Sequence, residues 1–176
     1  MKRPSRLNRR RFIAATAAAA AGAATGCRSS RSSPWRFFTI EEARTLNAVC
    51  EQIIPADDAP GAAWAGVIRY IDRQLVGRFK EHQKTYREGI AGLNRLAGGR
   101  FEELDAARQI EILKKVEKDK QLRPFFDLAI AHTMQGFYGS PRHGGNRDWI
   151  SWQMLGIPIS PSRGREHYDL TQGAKA

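Results

Sequence analysis

Four histidines, two cysteines and one pair of adjacent aspartates are the residues of this 176-residue chain whose types could do chemistry. His82, His132, His143 and His167 lie far apart, and none forms the HExxH spacing of a zinc-binding helix. Cys27 and Cys50 form neither a CxxC nor a CxxCH, which argues against a zinc ribbon and against covalent haem attachment. The chain does not carry the sulfur ligands of a four-cysteine iron–sulfur cluster. Asp57-Asp58 sit in a turn between Pro55 and Pro60-Gly61, where adjacent acids are solvated or cap the backbone. There is no GxSxG nucleophile elbow. Gly144-Gly145 follows no strand pattern, so it does not read as a phosphate-binding loop. His143, beside Gly144-Gly145-Asn146, is the best-placed catalytic candidate, because glycines let the backbone approach a ligand closely. Taken together, the residues predict no catalytic side chain, no cofactor ligand and no metal ligand in this chain.

The elements that would position these residues are helical. Thr39-Ile40-Glu41-Glu42 is a capping box, with Thr39 as N-cap and Glu42 three residues on. The helix after it places Ala43, Leu46, Cys50 and Ile53 on one face, and Pro55 stops it. Cys50 is therefore a core position. A second helix carries Trp64, Val67, Ile68, Ile71 and Leu75 on its apolar side. A third runs from about Arg78 to Ala97, with Phe79, Tyr86, Ile90, Leu93 and Leu96, and ends at Gly98-Gly99. Asp105 caps a fourth, with Ile110, Leu113 and Val116 inward and a charged, solvated face around them. Pro124 suits the first turn of a fifth, which aligns Phe125, Leu128, Ala129 and His132 and can end at Gly136. Alternating strand patterns are nearly missing. The expected fold is all-α: a single compact domain of five or six helices with an irregular Gly/aromatic-rich C-terminal segment.

The first 27 residues read as an address. Asn8-Arg9-Arg10-Arg11-Phe12-Ile13 is a twin-arginine export pattern, and the run after it is alanine-rich and only weakly apolar. Ile13 to Thr25 is too short to span a membrane comfortably. Ala24-Thr25-Gly26-Cys27 resembles a lipobox, with Ala24 where leucine is usual, so three outcomes stand open: lipidation at Cys27, ordinary cleavage nearby, or no cleavage. Residues 28–36 are a Ser/Arg linker. The formal charge of +11 shrinks once this address is set aside. Removing its six basic residues leaves 23 basic against 18 acidic, a surplus of five. That surplus is spread along the chain and does not demand nucleic acid; an anionic lipid surface or an acidic partner explains it equally well.

From Gly136 the composition changes. Phe137, Tyr138, Trp149, Trp152, Met154, Leu155 and Ile157 crowd among Gly139, Gly144, Gly145 and Gly156. Such a segment must pack on its own domain or on another protein. Phe137, Tyr138, His143, Asn146, Trp149 and Trp152 are the candidate partner-interface residues, since aromatic and arginine-rich surfaces favour interface centres.

An ordered set of residues resembles the gluconate 2-dehydrogenase subunit 3 family. It comprises Phe38-Thr39 with Glu42, Ile54-Pro55-Ala56-Asp57, Pro60-Gly61-Ala62, Ile71-Asp72 and Tyr86 with Gly89. The closing segment matches best: Thr133, Gly136-Phe137-Tyr138, Pro141, Gly144-Gly145-Asn146, Trp152 and Leu155-Gly156-Ile157-Pro158. The resemblance covers residues 37–159 as one helical domain and leaves a polar tail, 160–176, expected to be disordered. It implies a non-catalytic small subunit that binds a large FAD-containing flavoprotein dehydrogenase acting on sugars or sugar acids. A multihaem cytochrome c would be a third subunit, carrying haem c. The small subunit would use the twin-arginine translocase and bring the complex to the periplasmic side of the inner membrane. The alternative is a free-standing periplasmic lipoprotein that binds a small molecule or a different partner. If the first reading holds, Arg9→Lys with Arg10→Lys leaves the flavoprotein in the cytoplasm. Cell fractionation with a flavin readout checks this, and a flavoprotein still exported in full amount would rule the escort role out.

Overall fold

The computed structural model describes residues 33–157. Arg9, Arg10, Phe12, Cys27, residues 28–32 of the linker, His167 and the 160–176 tail lie outside the described residues. From Pro34 on, the described chain forms one all-α unit. Its helices are α1 (Ile40–Ile53), α2 (Val67–Leu75), α3 (Gln83–Ala97), α4 (Ala106–Lys118), α5 (Arg123–Tyr138) and the short α6 (Ile150–Met154). Single 3₁₀ turns at Lys80–His82, Phe101–Glu103, Pro141–His143 and Arg147–Trp149 connect them. Among the described residues no strand occurs, and no helix is long and apolar enough to cross a membrane.

Local signals set several helix ends. The Thr39 hydroxyl accepts from the Glu42 amide at 3.1 Å, and the Glu42 carboxylate accepts from the Thr39 amide at 2.9 Å. Both partners of the capping box are thus satisfied. Asp105 accepts from the Arg108 amide at 2.9 Å and opens α4. Gly98 ends α3 in the left-handed conformation.

α5 is the hub of the unit. Apolar residues lie around most of its circumference, as expected of a helix packed on several sides, and α1, α2, α3 and α4 all touch it. Phe125, Ala129, His132, Thr133, Gly136 and Phe137 are its buried residues. On α3, Gly89 and Gly92 make room for Phe125 and Leu122. A Cβ at Gly89 would lie 2.1 Å from the Phe125 ring, which no side chain tolerates.

Four expectations are corrected. α5 continues to Tyr138 instead of stopping at Gly136. Gly136 is instead a site of close approach, since a Cβ there would lie 3.0 Å from Tyr70 and 3.1 Å from Val67 on α2. Trp64 precedes α2, and at 41% exposure it stands at the surface. α3 begins at Gln83, after a separate 3₁₀ turn, and Leu96 is exposed. On α4 the inward stripe is Gln109, Ile112, Leu113 and Val116, while Ile110 is 42% exposed. Gln109 can face inward because its amide donates to the Phe101 and Leu104 carbonyls and accepts from Gln52.

The strap before α1 is held by one carboxylate. Asp72 on α2, only 3% exposed, accepts from the amides of Arg36 (2.8 Å), Phe37 (2.9 Å) and Phe38 (3.2 Å). Arg87 on α3 closes the other side. It pairs with Glu42, donates to the Phe37 carbonyl at 2.9 Å and lies over the Phe37 ring. Asp72→Ala leaves three amides without their acceptor while retaining the apolar contacts of Phe38. The expected loss is about 3 kcal/mol of stability in urea unfolding, the range for several hydrogen bonds to one buried charge.

Candidate functional site

The closing segment is built from backbone contacts outward. After α5 the chain turns at Gly139 and doubles back so that Gly145 lies against the backbone at Gly136; a Cβ on Gly145 would sit 2.1 Å from the Gly136 carbonyl oxygen. The Asn146 side chain then staples the loop. Its Nδ2 donates to the Gly139 carbonyl at 2.8 Å, and its Oδ1 accepts from the Ser151 amide at 3.0 Å. The Arg147 amide donates to the Ala65 carbonyl at 3.0 Å, tying the loop to the turn before α2. The Trp152 indole donates to the Tyr138 carbonyl at 2.8 Å, and its ring lies 4.9 Å from that of Trp149.

These bonds hold an unusual backbone. Asn146, Asp148 and Trp149 have φ of 48°, 51° and 60°. Each is a left-handed conformation that costs a non-glycine residue about 1–3 kcal/mol, with the bulky tryptophan at the least favourable end. So the segment has one imposed shape.

The candidate interface residues divide into two groups. Phe137 is fully buried in the core and Asn146 is fully buried beneath the loop, so both serve the fold from inside. Tyr138 and His143 are exposed, and Trp149 and Trp152 are half-buried at the surface. His143 accepts from its neighbour Arg142 at 3.1 Å, its one side-chain hydrogen bond among the described residues.

The exposed apolar surface extends beyond those residues. Met154 at the end of α6 and Leu155 and Ile157 just after it are exposed, Leu155 with 60% of its surface free. On α5, Ile130, Met134 and Tyr138 are exposed and recur every fourth residue, one row along the helix. Between α4, α5 and the end of α1 lies a groove of ≈ 420 Å³ whose walls include Ile53, Ile110, Phe126, Ile130 and Met134. Periodicity alone missed this row, because α5 is apolar on several faces at once. A surplus of apolar positions over what one buried face needs was the available signal.

The buried polar groups form a separate, inward cluster. His132 is stacked between Phe79, at 4.4 Å, and Tyr86, at 5.9 Å, and its Nδ1 shares a 2.9 Å hydrogen bond with the Tyr86 hydroxyl. Burial, reinforced by nearby His82, pushes His132 down from 6.5 to about 4. Burial holds the Tyr86 phenol well above its ordinary range. Burial likewise pushes the Cys50 thiol up to about 12, although Thr133 donates to its sulfur at 3.2 Å. A thiol so shifted stays protonated and unreactive at neutral pH. Among the described residues no group of three or more His, Cys, Asp or Glu is placed to hold a metal ion.

The sequence profile described as gluconate 2-dehydrogenase subunit 3 matches residues 40–158, from the first turn of α1 through the closing segment. The chain belongs to the gluconate 2-dehydrogenase subunit 3 family. No curated protein and no solved structure matches it. The family name denotes a small subunit of a dehydrogenase complex, and the match includes every structural device described above except the Pro34–Thr39 strap.

In the fold His132 stays neutral down to about pH 4, whereas the unfolded chain takes up a proton below pH 6.5. Stability is therefore complete above about 6.5 and falls as pH drops toward about 4. The expected loss across that window is on the order of 2–3 kcal/mol. His132→Gln, compared with wild type by urea unfolding at several pH values, should remove that part of the slope.

Proposed function

We propose that this chain is the non-catalytic small subunit of an FAD-dependent sugar or sugar-acid dehydrogenase complex, and that it seats the flavoprotein subunit on its closing segment. One observation carries the reading. The family match runs through a segment whose backbone is locked by Asn146 and the glycines, and whose Tyr138, Trp152, Met154 and Leu155 are nevertheless left at the surface. A rigid loop presenting apolar and aromatic side chains suits a docking face, because little conformational freedom is lost on binding.

In this reading the chemistry belongs to the flavoprotein, and electrons leave it through a multihaem cytochrome c. The small subunit supplies the twin-arginine signal at Arg9-Arg10 and so carries the flavoprotein, already folded with FAD, to the periplasmic side of the inner membrane. Cys27, if lipidated, adds an anchor that holds the complex at the membrane alongside its other contacts. The inert state of Cys50 supports a role without catalysis in this subunit.

Trp152→Ala and Leu155→Asp test the docking face. Each should weaken association with the flavoprotein by about 2–4 kcal/mol, measured by titration of the purified subunits. Matching melting temperatures must first show that the variants are folded. An unchanged association constant in both would place the interface elsewhere.

A further inference from the structure

Two grooves meet on the side of the molecule formed by α1, α2 and the turn of the closing segment. The first, ≈ 310 Å³, is lined by Arg44, Arg69 and Arg147. The second, ≈ 420 Å³, is lined by Arg36, Arg69 and Arg73. Trp35 and Arg69 belong to both, so the grooves adjoin. Five arginines thus line the two adjoining grooves. None forms an ion pair with a described carboxylate, whereas Arg87, Arg100, Arg108 and Arg123 elsewhere all do.

The single carboxylate lining either groove is Asp72, and both its oxygens already accept from the strap amides. Five like charges gathered this way outnumber the one carboxylate beside them and repel one another. Guanidinium forks pair in bidentate fashion with carboxylates. The recess is concave and runs from the strap to the closing segment, where Arg147 lies over Trp64. A flat layer of lipid headgroups cannot follow such a recess, whereas an extended peptide can.

We propose that these grooves form a docking channel for an acidic, extended peptide segment of a partner protein, gripped by Arg69 and Arg73 on α2 and by Arg36, Arg44 and Arg147 around them. The assignment rests on the reading that this chain docks on a dehydrogenase subunit, and names the chemistry of a second contact beside the apolar one.

The test uses the full chain and a fluorescent octaglutamate peptide, read by anisotropy. Arg69→Glu with Arg73→Glu should weaken peptide binding by about tenfold or more. The charge-matched control, Lys115→Glu with Lys118→Glu on α4, should change it by less than about twofold. Should the double glutamate variant lose its wild-type melting temperature, Arg69→Gln with Arg73→Gln supplies the same comparison. Equal losses in the channel variant and the control would overturn the proposal, since only net charge would then matter. So would a channel variant that binds peptide normally but no longer binds phosphatidylglycerol-containing vesicles, which would make the grooves a lipid site. Co-purification with the coexpressed dehydrogenase subunit separates the two levels. If the wild-type chain captures no dehydrogenase subunit, the docking reading fails. If wild type and channel variant capture it equally well, the channel proposal fails.

Discussion

Two stretches of backbone, at Gly136 in α5 and Gly145 in the closing loop, lie closer together than any side chain would allow. That contact is the constraint on which the rest depends. It lets α5 run on to Tyr138 while the chain folds back over it, and it brings Asn146 to the place where one amide side chain can bond both Gly139 and Ser151. Because Gly136 also faces Tyr70 and Val67, the same approach fixes α2 against α5. The turn before α2 then receives the Arg147 amide. Closing segment, arginine grooves and helical core therefore all meet around this close approach. A methyl group on Gly145 would meet the Gly136 carbonyl oxygen at 2.1 Å, whereas one on Gly136 would crowd Tyr70 and Val67 of α2 at 3.0 and 3.1 Å.

The strap, whose Trp35 lines the same groove as Arg147, is the counterpart. It has no helix of its own, yet its amides are accounted for by Asp72 and its ring and carbonyl by Arg87. A buried carboxylate with three amide donors resembles an anion at a helix N-terminus, except that the donors here come from an extended segment. The strap carries Arg36 and Trp35 into the grooves, so an interaction that stabilises the fold also forms one wall of the recess.

What was legible in the sequence was local. The Thr39–Glu42 box, the Asp105 cap and the Gly98 stop each involve residues within a few positions, and the structure repeats them. What was not legible was set by distant partners. Gln109 faces inward because Gln52 and the Phe101 carbonyl await it, and Ile110 is turned out in consequence. Gly136 read as a helix stop because glycine signals both ends and close contacts, and only the neighbouring backbone distinguishes them. Composition located the closing segment correctly but not its inside and outside, so Phe137 and Asn146 were grouped with residues they in fact support. The five groove arginines, at positions 36, 44, 69, 73 and 147, come from three separate parts of the chain, and folding gathers them.

All four tryptophans stand outside the hydrophobic core: Trp64 is exposed, and Trp35, Trp149 and Trp152 are half-buried. Trp35 and Trp64 flank the arginine grooves, while Trp149 and Trp152 belong to the closing loop. The indole emission of this subunit is consequently a report on its rim, not on its interior. Its colour responds to whatever excludes water from those faces, and the molecule needs no attached dye to signal that it has been covered.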